Sequence, residues 1–238
     1  MLSQKPWRAE AVIQLIAALF VSLFFGVVVA GLLRQFGVPA FKSPDSFANL
    51  LLGTLSFQGA AWIFIFFFLK LHAVNWRDAL GLREPGFSKT LLFAAGLLLL
   101  VLPVVLGLEK ISAVILEKIG WPVEDQRAVE VFANAKSFGL RIYLVLFAVV
   151  IAPVAEEFVF RGILYPYIKQ LGWPKLALVG VSFLFALIHV NAPTFVPLFV
   201  LALALTWLYE RTDRLIAPIV AHGLFNGANL VLLFAQAR

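Results

Sequence analysis

Long apolar runs separated by short charged stretches set the pattern of this chain. A helix needs about 20 largely apolar residues to cross a bilayer. Runs near that length predict spans at roughly Glu10–Leu33, Phe47–Leu69, Thr90–Leu108, Leu140–Tyr167, Pro174–His189, Phe195–Tyr209 and Leu215–Phe234. Pro103 is a candidate kink in the third span, and Pro174 occupies a favoured first helical position. Between Glu109 and Phe138 the pattern turns mixed, with Glu109, Lys110, Glu117, Lys118, Glu124, Asp125, Arg127 and Glu130. That stretch predicts amphipathic interfacial helices with Trp121 near the headgroups. The count is seven spans, or eight if the mixed stretch supplies one. The first run follows Lys5 and Arg8 and outlasts the about 7–15 apolar residues of a signal peptide, so it reads as a retained helix.

Composition sharpens this picture. Of 238 residues, 62% are hydrophobic and 13% charged, against about 45–50% and about 25% in soluble domains. The reading is an all-α polytopic membrane protein forming one integral membrane domain over 1–238, with the lipid bilayer as its solvent. The net charge of +6 is scattered between apolar blocks. That suits lipid headgroups and topology setting, and no nucleic-acid partner is expected. There is no cysteine, which excludes disulfides and thiolate metal sites. Placing the N-terminus in the cytoplasm puts Lys5, Arg8, Lys70, Arg77, Arg83, Lys89, Lys169, Lys175, Arg211 and Arg214 on the same side. The uncharged loop Val190–Thr194 then faces outward, although Arg34, Lys42, Lys110, Lys118, Arg127 and Lys136 stay outside as well.

Ionisable groups within a membrane segment are expensive and face a cavity or a partner. The informative ones cluster in the last third. In Glu156-Glu157-Phe158-Val159-Phe160-Arg161, Glu157 and Arg161 are four apart and share a helix face, so they can pair. Glu156 is rotated by about 100°. Arg161 is therefore expected to hold Glu157 and to leave Glu156 for chemistry as a general base. A structural ion pair with a spare glutamate at a wet crevice accounts for the same residues. His189 ends an apolar helix, where it can simply interact with the helix dipole. His222 and Asn226 are again four apart, and interhelical hydrogen bonding explains them equally well, with Gly223 and Gly227 as close-approach residues. At about 1.5 Å per residue from the cytoplasmic ends, Glu156 lies about 20 Å deep, His189 about 22 Å, His222 about 12 Å and Asn226 about 18 Å. The groups fall in one zone, where three helices could surround one wet cavity. His72, beside Trp76 and Arg77, reads as interfacial.

These motifs resemble the CPBP family, the intramembrane CAAX prenyl endopeptidases and bacteriocin-processing (Abi) proteins. The resemblance rests on Glu156-Glu157-x-x-x-Arg161, Phe185-x-x-x-His189 and His222-x-x-x-Asn226. The flanks Ala152-Pro153-Val154-Ala155, Gly162-Ile163-Leu164-Tyr165 and Leu208-Tyr209-Glu210-Arg211-Thr212 agree. It covers about Leu140 to Leu232 and is only topological before that. The resemblance implies an endopeptidase of about eight helices, acting on a membrane-associated peptide or protein, with a prenylated CAAX-type C-terminus as the best-known substrate. It implies that Glu156 and His189 activate water, that His222 and Asn226 stabilise the oxyanion, and that Glu157 and Arg161 support the site. A bacterial inner membrane is the expected location.

The family is often described as metalloprotease. His189, His222 and Glu156 or Glu157 offer a two-histidine, one-carboxylate set suited to hydrolytic zinc. The helical His-Glu-x-x-His arrangement is missing, however, and Asn226 is a better hydrogen-bond donor than zinc ligand. A donor pair aimed at a developing oxyanion favours a cofactor-free glutamate–histidine mechanism, with zinc as the alternative. Two other functions use the same residues: a non-catalytic scaffold or bacteriocin-immunity protein, and a proton-coupled transporter. The transporter reading lacks a visible repeat.

The absence of native cysteine makes the topology directly testable. Single cysteines replacing Ser3 or Val190 should differ towards an impermeant maleimide in intact cells: residue 190 labels at once, residue 3 only after lysis. The opposite pattern would invert the orientation.

Overall fold

A computed structural model describes residues 2–236 except 44–45, 83–85, 124–126, 134 and 136. Arg83, Glu124, Asp125 and Lys136, counted above in the charge pattern, lie outside the described residues. Among the described residues there is no strand. The apolar helices are α1 (Ala9–Gln35), α2 (Phe47–Leu71), α3 (Phe87–Lys118), α4 (Phe138–Gln170), α5 (Pro174–Leu187), α6 (Ala192–Thr212) and α7 (Ile216–Gln236). All but α5 are long and apolar enough to cross a membrane, and the protein is an all-α polytopic membrane protein.

Two helix ends differ from the sequence expectation. Helix α3 continues past Leu108 through Glu109, Lys110, Glu117 and Lys118. Glutamate and lysine are good helix formers, and 32 residues reach about 48 Å, so the charged end can project beyond a hydrocarbon core of about 30 Å. Among the described residues, a short helix, Arg127–Ala133, follows in the expected interfacial stretch. Helix α5 stops at Leu187, so that His189 sits in the following turn, where Val190 takes φ +48°.

The chain forms two compact units, one of Pro6–Trp76 and one of Met1–Lys5 with Arg77–Arg238. In the first, α1 meets α2 where Gly26 faces Ser56, and a Cβ on Gly26 would lie 2.0 Å from Ser56 Oγ. His72 accepts the Arg8 N–H at Nε2 (3.0 Å) and approaches the Phe68 carbonyl with Nδ1 (2.7 Å). It thus satisfies a backbone donor at the start of α1 that the helix itself cannot.

In the second unit α6 is central. Of its apolar window 56% is buried, against 11% for α3. Helices α3, α5 and α7 pack around it. On α3, Leu92, Leu99 and Leu100 stand exposed while Ala94 and Val105 are buried, the arrangement of a helix with one face towards lipid. Helix α6 starts with Asn191, whose Oδ1 accepts the Thr194 N–H at 3.1 Å, a side-chain cap for an otherwise orphaned donor.

Helix α4 is not uniform. Two π turns, Phe147–Ile151 and Phe158–Leu164, flank the α-helical Ala152–Glu157. Each precedes a proline, Pro153 or Pro166. Proline cannot donate to the carbonyl four residues back, and its ring crowds that carbonyl. A wider turn relieves the crowding. For Pro153 that carbonyl belongs to Val149, and Gly223 of α7 packs against it: a Cβ on Gly223 would lie 2.4 Å from Val149 O.

Gly223→Ala therefore has to push two backbones apart. It should lower stability in detergent by about 1–3 kcal/mol, read as a drop in thermal midpoint. Gly96→Ala, where nothing lies within 4 Å of the added carbon, should leave the midpoint essentially unchanged.

Candidate active site

Glu156 and Glu157 lie at the end of the α-helical stretch between the two π turns of α4. Both are buried, as are Arg161 and His222. Arg161 Nη1 donates to Glu157 Oε1 at 2.9 Å, the i, i+4 pair expected from spacing. The same oxygen lies 2.9 Å from His222 Nδ1, joining α4 to α7. An ionised carboxylate only accepts, so this contact places the proton on Nδ1 of His222. The other ring nitrogen, Nε2, faces Glu156 Oε2 at 3.9 Å, too far for a hydrogen bond but close enough for a charge contact. Arg161 is taken up by Glu157, and Glu156 is left beside the free edge of His222.

The guanidinium is held on every side. Its Nη2 donates to the Ala202 carbonyl (3.1 Å) and its Nε to Thr206 Oγ1 (3.4 Å), both on α6. Thr206 Oγ1 in turn donates to Ala202 O at 2.8 Å. The face of Phe185 lies 4.4 Å from the guanidinium carbon, a cation–π contact in a desolvated setting. A buried charge without such partners is strongly destabilising. Glu157 Oε2 is buried with no hydrogen-bond partner.

His189 and Asn226 join this cluster less directly. The His189 ring packs on Phe185 with centroids 4.9 Å apart, and Phe185 meets His222 edge-on at 5.6 Å. One aromatic ring thus touches both histidines and Arg161. His189 Nδ1 lies 2.7 Å from the Phe185 carbonyl, one of the last carbonyls of α5 that lack an intrahelical partner. Its Nε2 therefore points away from that bond. Asn226 Nδ2 donates to Ala148 O at 2.8 Å, in the first π turn of α4. An amide nitrogen carries two hydrogens, so one donor of Asn226 is used in packing and one is left.

Among the described residues no three His, Asp or Glu side chains are gathered to hold a metal ion. Glu157 Oε1 is already shared by a guanidinium and an imidazole. That oxygen is therefore committed to contacts within α4 and with α7.

Sequence reasoning missed Thr206 and the carbonyls of Ala202 and Ala148. Thr206 had a signal: it is a polar residue inside an apolar helix, four residues before Glu210. The carbonyls had none, because every residue carries one and only packing decides which is used.

No curated protein and no solved structure matches the chain. Residues 138–228, from the start of α4 into α7, match the family described as Type II CAAX prenyl endopeptidase Rce1-like, in agreement with the CPBP resemblance of the three motifs.

Proposed function

We propose that the chain is an intramembrane endopeptidase that hydrolyses a peptide bond in a membrane-associated protein or peptide, with Glu156 as general base. The observation that carries this is the position of Glu156. It is buried, it sits beside His222 Nε2 at 3.9 Å, and its neighbour Glu157 takes up the arginine. A carboxylate used only for structure would be expected to hold that arginine itself. A prenylated CAAX-type C-terminus is the substrate class that the family description carries.

In this reading Glu156, assisted by His189, draws a proton from water, and the oxygen attacks the scissile carbonyl carbon. The carbonyl oxygen becomes an oxyanion. His222 in its charged form donates from Nε2, and Asn226 donates from its second amide hydrogen. Collapse breaks the carbon–nitrogen bond, and the proton held by Glu156 passes to the departing amine. Glu157 keeps His222 oriented through Nδ1, and Arg161 keeps Glu157 in place. General-base catalysis contributes about 10²–10⁴ in rate, and one oxyanion donor about 10²–10³.

A scaffold reading has one observation in its favour: the Asn226–Ala148 bond rivets α7 to α4. Substitutions separate the two. Glu156→Gln should keep the protein folded and lower cleavage by about 10²–10⁴. The measurement is the set of membrane-protein termini, read by mass spectrometry, in cells carrying wild type or the variant. Termini identical in both, with both folded, would favour the scaffold. Arg161→Ala should instead destabilise the fold by about 3–5 kcal/mol, because it strands Glu157 as a buried charge. Thermal unfolding in detergent reads that difference.

Cleavage by the purified protein should also survive chelation. Loss of activity with a chelator and its return with zinc would replace the glutamate–histidine mechanism with a metal-dependent one.

A further inference from the structure

The charged and polar groups of the site do not end at Arg161. On α4, Glu157, Arg161, Tyr165 and Lys169 stand at i, i+4, i+8 and i+12. On α6, Ala202, Thr206 and Glu210 stand at i, i+4 and i+8. The two rows bond rung by rung. Arg161 reaches Ala202 O and Thr206 Oγ1. One repeat further on, Tyr165 Oη donates to Glu210 Oε1 at 2.6 Å, and Lys169 Nζ donates to the same oxygen. A polar seam therefore runs between two otherwise apolar helices, from His222 and Glu157 at one end to Glu210 and Lys169 at the other.

The geometry of α4 favours such a row. In an α-helix each i+4 step overshoots a full turn by about 40°, so a long i+4 row winds off the facing helix. The π turn Phe158–Leu164 puts more residues into each turn and takes back part of that drift. Arg161 and then Tyr165 and Lys169 stay opposite α6.

The outer end of the seam is closed by the segment before α1. The Leu2 backbone hydrogen-bonds to Glu210. Ser3 donates through N and Oγ to Asp213 (3.1 and 3.0 Å), and Lys5 Nζ pairs with the same carboxylate at 3.2 Å. Gln170, the last residue of α4, accepts the Lys5 N–H at 2.8 Å and donates to the Lys5 carbonyl at 3.0 Å. The ends of α4 and α6 are thus tied to one short stretch of chain.

We propose that Glu210 is a positioning residue: by holding Tyr165 and Lys169 it fixes the axial register of α4 against α6 and so, through Arg161, places Glu157 under His222. Apolar side chains along two helices slide past one another with little preference. Directed bonds at both ends of a row admit one register. A shift of one rung at Glu210 would pull Arg161 from Ala202 O and Thr206, and with it the carboxylate that orients His222. The inference deepens the hydrolytic reading above and rests on it for its effect on turnover.

Three variants test it: Glu210→Ala, Glu210→Gln and Tyr165→Phe. Two measurements are made on each. The first is the 15N spectrum of the His222 ring in histidine-labelled full-length protein, assigned with His222→Gln. The second is kcat and KM on a substrate identified from the terminus comparison. Glu210→Ala should move the His222 Nδ1 resonance away from its hydrogen-bonded position and lower kcat by about ten- to a hundredfold, with KM little changed. Glu210→Gln keeps an acceptor for Tyr165 Oη and should restore most of both. Tyr165→Phe removes a single oxygen and should act in the same direction as Glu210→Ala. It carries the test alone if Glu210→Ala does not fold. An unchanged His222 spectrum in both Glu210→Ala and Tyr165→Phe would overturn the proposal. So would a loss of activity that merely follows the amount of folded protein. If wild type cleaves nothing, the hydrolytic reading fails, and the spectrum still decides whether Glu210 places His222.

Discussion

The arrangement of the candidate site depends on one buried ion pair, Glu157 with Arg161. Neither group has exposed side-chain surface, and in a low-dielectric interior each is costly without the other. The pair is also not sufficient by itself, since a guanidinium has five donors and only one meets Glu157. Two more donors meet Ala202 O and Thr206 Oγ1 on α6, and the face of Phe185 on α5 covers the guanidinium. Because Glu157 Oε1 also receives His222 from α7, a single carboxylate and its arginine connect four helices. Their mutual placement is specified by directed contacts where lipid-like side chains would leave it loose.

The prolines of α4 supply the second constraint. A polar backbone group inside a bilayer must find a partner within the protein. Pro153 and Pro166 each remove a donor from the ladder, and π turns stand before both. The first of these turns carries the carbonyl that Asn226 occupies and the one that Gly223 approaches. Local disruption of α4 thus becomes the docking surface for the helix that brings in His222. The glycine, the asparagine and the proline answer one another across that contact. None of the three has the same meaning on an isolated helix.

The two neighbouring glutamates have unlike surroundings. They differ by about 100° in direction, and that rotation alone separates a carboxylate committed to arginine and histidine from one facing the free nitrogen of His222. Tyr165, Lys169 and Glu210 continue the committed face towards the end of the bundle. Glu156 is thereby left without the ion pair that commits its neighbour, beside Nε2 of His222 at 3.9 Å.

The membrane class, the helices and the pairing of Glu157 with Arg161 were legible in the sequence, since each follows from local properties: run length, composition and a spacing of four. So was the gathering of Glu156, Glu157, Arg161 and His222, because polar groups in apolar helices must seek one another. What the sequence could not fix was which atoms meet. The extension of α3 through its charged end and the stop of α5 before His189 depend on where the chain leaves the bilayer and how it turns. The use of Ala148 and Ala202 carbonyls, the place of Phe185 against His189, His222 and Arg161, and the bonding of Glu210 to Tyr165 depend on the lateral packing of helices. Periodicity along one helix sets which face a residue occupies. The register between two helices is decided only when both are present, by the few directed bonds that apolar packing cannot replace.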